Sequence, residues 1–501
     1  MSNDKLFDRF EALTFDDVVV VPGYSNVLPD TVDTTARFAA DIELSVPLVS
    51  AAMDKVTEAR MAIAIAREGG IGVIHRNLTI ADQAGEVQKV KRSQSGMITD
   101  PVTLLATATL QDAEDLMHRF RLSGMPIVDH DGRLVGILTN RDIRFCEGSD
   151  FDKPVSEFMT SAGLVTASVG TTLEQAKAVL QQHRIEKLPL VDDDGYLRGL
   201  ITVKDIQKRT DFPNATRDSR GRLRCAAAVG VGADLEDRVD ALFAQGVDAV
   251  AIDTAHGHSA GVIKAIERIK SNWPSLPVVA GNVVTEEGVE ALHAAGADAV
   301  KVGVGAGSIC TTRVVSGAGM PQLSAIWFTT RRARELDIPV IADGGITYSG
   351  DVVKAIAAGA ETVMLGSLLA GTDESPGEME LFEGRRYKSY RGMGSMGAMQ
   401  GLGADRYASG QAATGSSAVG AATRKLVPEG IEGRVAYAGT LGDVVYQLAG
   451  GLRSGMGYAG AATLESLRRG VRFMKVTTAG REESHPHDVT ITKEAPNYQR
   501  T

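Results

Sequence analysis

Cysteine is scarce in this chain of 501 residues: Cys146, Cys225 and Cys310 are the whole supply. Three scattered thiols exclude a disulfide framework or a zinc cluster and fit a reducing compartment. Long apolar runs are missing too. None approaches the ~18 residues of a membrane span, and the charged start, MSNDKLFDRFEALTFDD, has no apolar signal core. The expected location is therefore cytoplasmic. An excess of basic charge is also lacking. With 53 Lys and Arg against 63 Asp and Glu, the net charge of −10 argues against a general nucleic-acid binder, which carries a basic face. Any phosphate ligand must then be held by local geometry, and the 55 glycines provide for tight turns and close backbone approaches.

Eight short apolar runs recur: PLVSAAM (47–53), IGVIHR (71–76), CAAAVGV (225–231), AVAIDTA (249–255), PVVAGNV (277–283), AVKVGVG (299–305), PVIADGG (339–345) and TVMLGSL (362–368). Between most of them lie segments such as GVEALHAAGAD, with apolar positions at helical spacing and a glycine near the end. Near-continuous apolar strands alternating with helices indicate a parallel sheet buried on both faces. Eight units fit an α/β fold of the (β/α)8 TIM-barrel type; an open doubly wound sheet is the alternative.

A long insertion separates the second and third runs, and it contains a repeat. MPIVDHDGRLVGILTNRDI (125–143) matches LPLVDDDGYLRGLITVKDI (188–206), 63 residues on. Each unit has a helical segment before its proline, two strands around Asp-Gly, and a helix start. The pair resembles tandem CBS modules, which bind adenine and guanine nucleotides. That resemblance implies regulatory nucleotide contacts at Thr139, Asp142, Thr202 and Asp205. The same residue types would also simply cap helices. The domain boundaries read as 1–94 (first part of the barrel), 95–152 and 153–211 (the two modules) and 212–501 (second part of the barrel). The insertion leaves after a helix and returns into a strand, at the face opposite to where such barrels place catalysis. Regulation is thus its expected role.

Residues just past the strands line the active face of such a barrel. The seventh and eighth runs end in Asp-Gly-Gly (343–345) and Gly-Ser (366–367). Bare backbone N–H groups there suit a phosphate, although glycine also serves turn geometry alone. The sixth runs into GAGSICTTR (305–313). Cys310 lies in this polar, glycine-rich loop beside hydroxyls and Arg313, surroundings that favour a thiolate able to add to an electron-poor carbon. Cys225 and Cys146 read instead as small buried hydrophobes. Residues 387–407, YKSYRGMGSMGAMQGLGADRY, continue in a glycine- and serine-rich stretch to 422. They read as a mobile lid or as a disordered insertion.

Taken as a set, GAGSICTTRVVSGAGMPQ, IADGGITYSGD, MLGSLLAGT, YKSYRGMGSMGAM, DRY, LVPEGIEGRV, ESHPHDV and EAPNY resemble the motifs of the IMP dehydrogenase/GMP reductase family, and more closely its dehydrogenase branch. Order and insertion point match over essentially the whole chain. The resemblance implies oxidation of IMP to XMP with NAD+ through an adduct on Cys310, with a mobile flap at about 387–430. Thr312, Arg406 and Tyr407 match the other catalytic positions. Ser308, Gly345, Gly366, Ser367 and Tyr390 match phosphate contacts, Asp343 the ribose contact, and Met393, Gly394 and Glu429 the hypoxanthine contacts. Asp253, Asn282, Gly303 and Gly305 match the NAD side.

After NADH departs, the flap is expected to bring Arg406 and Tyr407 to the adduct, where Arg406 activates water. An arginine of pKa about 12.5 or higher is rarely neutral at pH 7, so a Thr312/Glu429 relay is a second proton path. The resemblance further implies potassium on the carbonyls of Gly305, Gly307 and Cys310, completed by Glu483, Ser484 and His485 of a neighbouring subunit, in a homotetramer that can pair into an octamer. A transition-metal site at His485 and His487 lacks a convincing third ligand. Ala306 stands where bacterial relatives usually have proline, which would loosen the cysteine loop. The competing functions are GMP reduction with NADPH and a catalytically silent nucleotide sensor.

Overall fold

The structure is a computed structural model that describes residues 11–93, 101–120, 122–400 and 427–498. Each of the eight apolar runs forms a strand: β1 Leu48–Ser50, β2 Ile71–Ile74, β3 Ala226–Val229, β4 Ala249–Asp253, β5 Val278–Val283, β6 Ala299–Val302, β7 Val340–Asp343 and β8 Thr362–Leu365. All neighbours are parallel. β8 pairs with β1, and β2 pairs with β3 across the inserted segment, so the sheet closes into a barrel. The open sheet is excluded.

Helices follow the strands: α1 Ala59–Arg67, α2 Ile80–Ser93, α3 Leu235–Ala244, α4 Ala260–Asn272, α5 Glu286–Ala294, α6 Gln322–Glu335, α7 Ser349–Ala357 and α8 Leu441–Ala459. α8 packs on both α7 and α1 and so completes the ring. Thr285 and Thr440 cap α5 and α8 through their side chains, which satisfies N–H groups that a helix start leaves open.

Strand alternation sorts the apolar side chains into two cores. Val250, Ile252, Val300, Val302 and Val363 point outward into the layer shared with Ile65, Val87, Leu235, Ile266 and Ile326 of the helices. Val49, Val73, Ala228, Ala251, Val279, Ala299, Ile341 and Met364 point inward. The inner core also takes in Phe38, Ile42 and Leu44 from the hairpin Ala36–Ala39/Ile42–Leu44. Truncating any one of the fully buried Leu or Ile side chains costs about 2–5 kcal/mol.

Two further parts belong to this picture. An antiparallel sheet of Met379–Phe382, Arg385–Arg391 and Glu432–Ala436 follows β8. The region expected to be a lid from 387 thus begins as the middle strand of a sheet, and Met396–Met399 forms a helical turn capped by Ser395. The rest of that expectation, including Arg406 and Tyr407, lies outside the described residues.

The repeats form a second compact unit within Gln94–Pro213, with Ser219–Arg222. Leu104–Leu105, Leu110–Phe120, Gly124–Val128 and Leu134–Thr139 recur as Ala167–Ser168, Leu173–His183, Lys187–Val191 and Leu197–Thr202. Each repeat builds a three-stranded sheet. The helix expected after the last strand forms as Val203–Asp211 in the second repeat only. In the first, Asp142 draws back onto the Thr139 N–H and hydroxyl at 2.7 and 2.8 Å. The chain then continues in turns to a 3-10 segment at Gly148–Asp152.

Candidate active site

At the C-terminal ends of the strands lies a cavity of about 360 Å3, within the range of small-molecule sites. Its walls include the loops after β1, β4, β5, β6, β7 and β8, together with the flap sheet.

The cysteine loop is held at both ends. The Arg313 guanidinium donates to the carbonyls of Val304, at 2.9 Å, and Met320. A Cβ at Gly305 or Gly319 would come within 2.5 or 2.6 Å of the Arg313 side chain, and both glycines have positive φ, so this wrapping requires glycine. Arg313 therefore clamps the loop, and burial lowers its pKa while the nearby Cys310 charge opposes that shift. At the tip, Cys310 N–H donates to Gly307 O at 3.1 Å. Thr311 N–H donates to Glu429 O at 2.9 Å, and Ile431 N–H to Ile309 O at 3.1 Å. The cysteine loop is in this way laced to the segment Glu429–Ile431. Cys310 Sγ lies 3.1 Å from Thr312 Oγ1 and 3.7 Å from Glu429 O.

The glycine pair after β7 has φ of +96° at Gly344 and +81° at Gly345. A Cβ on Gly344 would stand 3.0 Å from Gly307 N, so bare backbone lets these two loops touch. After β8, a Cβ on Gly366 would meet Tyr390 Oη at 2.9 Å and Met53 Sδ at 3.2 Å. The Tyr390 phenol is 5 % exposed. Burial raises its pKa well above the usual value, against a hydrogen bond with Ser308. It thus stays a neutral donor.

Of the residues singled out in the sequence, Ser308, Cys310, Thr312, Asp343, Gly345, Gly366, Ser367, Tyr390, Met393, Gly394, Glu429, Asn282, Gly303, Gly305 and Gly307 all line this one cavity. Asp253 does not. It is 3 % exposed and faces Lys301 at 3.4 Å. A register shift between Gly281 and Val283 of β5 breaks the alternation, and Asn282 faces the cavity. Lys301 is a residue that sequence reasoning missed. It is 2 % exposed, and its ammonium contacts Asp253, Asn282 and Asp343. The signal was present as a lysine at an inward position of an otherwise apolar strand.

Glu483 ends the helix Thr478–Glu483, Ser484 caps it, and His485 Nδ1 lies 3.1 Å from Tyr498 Oη. In a single chain these three do not line the cavity. Among the described residues no group of three or more His, Cys, Asp and Glu could hold a metal ion. A potassium site would therefore rest on carbonyls, and the neutral oxygens of the cysteine loop suit a weakly hydrated monovalent ion. In the repeats, Thr202 Oγ1 donates to Asp205 Oδ2 at 2.5 Å, as Thr139 does to Asp142; both pairs close their own turns. Cys225 is fully buried, and Cys146 packs at the edge of the first repeat's core. No helix among the described residues is long and apolar enough to cross a membrane.

A family profile described as "IMP dehydrogenase / GMP reductase domain" matches residues 12–487. The chain belongs to this family. Within it, an inosine-5'-monophosphate dehydrogenase of Aquifex aeolicus is 58% identical over 489 residues, covering 97% of this chain and 98% of that protein. One from Halalkalibacterium halodurans is 55% identical over 488 residues, with 97% and 98% covered. Among solved structures, a cysteine-to-alanine variant of GMP reductase from Trypanosoma brucei, in complex with guanosine 5'-monophosphate, superposes with a TM-score of 0.87 at 40% identity. The match covers 97% of this chain and all of that one. The trypanosomal GMP reductase shares this barrel at 40% identity, and these two dehydrogenases match the chain at 58% and 55%.

Proposed function

We propose that this chain oxidises IMP to XMP with NAD+ and water, in guanine nucleotide biosynthesis. The observation that carries the reading is the position of Cys310: a nucleophile at the tip of a clamped loop, 3.1 Å from Thr312 Oγ1. Glycine-backed loops face it across a cavity of nucleotide size.

In this reading the Cys310 thiolate adds to C2 of IMP, and a hydride leaves C2 for the nicotinamide of NAD+, giving NADH and a thioimidate on the sulfur. Water adds to that carbon, the C–S bond breaks, and XMP leaves with the thiolate restored. Splitting the oxidation this way replaces one hard step by two easier ones. Gly345, Gly366, Ser367, Ser308 and the neutral Tyr390 phenol hold the phosphate, Asp343 the ribose, and Met393, Gly394 and Glu429 the base. Asn282, Gly303 and Gly305 form the dinucleotide side, with Asp253 beneath it. Arg406 with Tyr407, or a Thr312/Glu429 relay, takes the proton from water. The carbonyls of Gly305, Gly307 and Cys310 would hold potassium with Glu483, Ser484 and His485 of the partner subunit, in a homotetramer or paired octamer. The ion would fix the loop's shape. Purine nucleotides such as ATP or GTP would bind the repeats near Thr139, Asp142, Thr202 and Asp205 and regulate turnover.

The second reading, reduction of GMP with NADPH, is favoured by the likeness to the trypanosomal structure. NADH formation from IMP and NAD+, set against NADPH consumption with GMP, separates the two. Activity in the second assay alone would overturn the dehydrogenase reading.

A further inference from the structure

One buried charge is left over by the mechanism above. Lys301 sits on β6 at an inward position, two residues beyond Ala299 of the inner core. Its neighbours at that height are Asp253 of β4, Asn282 of β5 and Asp343 of β7. The ammonium donates to Asp343 Oδ2 at 2.6 Å and to Asn282 Oδ1, and lies 3.4 Å from Asp253 Oδ1. Room for it is made by Gly281, where a Cβ would approach Lys301 Cβ to 2.7 Å and Lys301 O to 2.6 Å. A barrel interior is an expensive place for an ammonium unless carboxylates repay the lost hydration.

We propose that Lys301 is a positioning residue for both substrates, joining the nucleotide side of the cavity to the dinucleotide side through one ammonium. The assignment rests on the dehydrogenase reading given above. In that reading Asp343 faces the ribose diol, and it shares the Lys301 ammonium with the Asp253 carboxylate. The ammonium between the two carboxylates holds both in place across the barrel interior. The same group fixes Asn282. Its Oδ1 must face Lys301, so its Nδ2 donates to Gly303 O at 2.6 Å and to Asp343 Oδ2 at 3.0 Å. An amide so committed cannot flip, and the wall between the two subsites is held at Gly303.

The test uses the full chain with Lys301→Gln and Lys301→Arg, measuring kcat and KM for IMP and for NAD+. Lys301→Gln is expected to raise both KM values by about tenfold or more, one pK unit's worth of interaction. Lys301→Arg keeps the positive charge and should bring both KM values back toward the parent's, even at reduced kcat. If Lys301→Gln lowers only the yield of active enzyme, with both KM values as in the parent, the residue is merely structural and the proposal is wrong. Should Lys301→Gln not fold, Asp253→Asn decides. Because the ammonium then loses one of its two carboxylates, both KM values are expected to rise; a change confined to NAD+, or no change, would overturn the idea. A parent protein that makes no NADH from IMP is a separate failure, of the functional reading itself.

Discussion

Arg391 and Asp54 tie the flap to the barrel. The guanidinium of the middle flap strand forks onto the carboxylate just past β1, with Nη2 at 2.5 Å and Nε at 3.0 Å from Oδ2. Asn77 Nδ2 adds a third donor to the same oxygen at 2.9 Å. Asp54 is 8 % exposed, so its removal leaves buried donors without an acceptor. Asp54→Ala is expected to cost about 1–3 kcal/mol of stability and to raise the KM for IMP, because Met393 and Gly394 continue from this strand. Asp54→Asn keeps one acceptor and should fall between parent and alanine variant. Thermal unfolding and initial-rate kinetics on the three proteins check the order.

Gly366 is a cavity position with no space for a methyl group. A Cβ there meets the Tyr390 hydroxyl and the Met53 sulfur at distances below ordinary contact. Gly366→Ala should therefore displace the phenol from Ser308 and narrow the proposed phosphate site. The expected result is an IMP affinity lowered about tenfold or more, the loss of one or two hydrogen bonds to a charged group, with the fold intact. Calorimetric titration with IMP reads the affinity. An inorganic phosphate titration in parallel shows whether the anion subsite is what was lost.

The barrel was legible in the sequence because its strands are buried on both faces. Such strands read as unbroken apolar runs, and all eight stand where the runs predict. The cysteine loop and the glycine loops were legible for a related reason: positive φ and close approach leave glycine few substitutes. Lys301 was not, because an apolar strand with one lysine gives no sign of what lies across the barrel. Nor was the hairpin that adds Phe38, Ile42 and Leu44 to the inner core; its strands are short and carry Arg37 and Glu43. The last strand of the flap sheet escaped because Glu432–Ala436 pairs with Arg385–Arg391, a partner far away in the chain. Pairing over such a distance leaves no local periodicity to read.

Glu58 gives the fold a pH signature. His75 Nδ1 accepts from the Asn77 N–H at 3.1 Å, which turns the Nε2 proton toward Glu58 Oε1 at 3.4 Å. That hydrogen bond lowers the carboxyl's pKa below its ordinary 4.5, outweighing partial burial. A carboxyl with a depressed folded-state pKa stabilises the fold above its unfolded value, and the contribution disappears as pH falls through the folded value. The stability gap between parent and Glu58→Gln should therefore be largest near about pH 6 and close by about pH 3. Urea unfolding across that window measures it; a gap that widens on acidification would contradict the assignment.

Thr312 and Cys310 separate binding from chemistry. The hydroxyl lies 3.1 Å from the sulfur and is close enough to trade a proton with the thiol or with water attacking the adduct. Cys310→Ala should bind IMP with affinity near the parent's, because phosphate, ribose and base contacts are made elsewhere, yet form no NADH. Thr312→Val keeps the shape without the hydroxyl and should lower kcat by about 10²–10⁴, the usual worth of a positioned acid or base. If Thr312 serves hydrolysis, its variant shows an initial burst of NADH followed by slow turnover, as Arg406→Ala should. If it serves the attack, the burst itself slows. Rapid-quench kinetics with mass analysis of the Cys310 peptide tells these apart, because an accumulating adduct means that hydride transfer outpaced water. An active Cys310→Ala protein, or a quenched parent with no adduct on that sulfur, would remove covalent catalysis from the reading altogether.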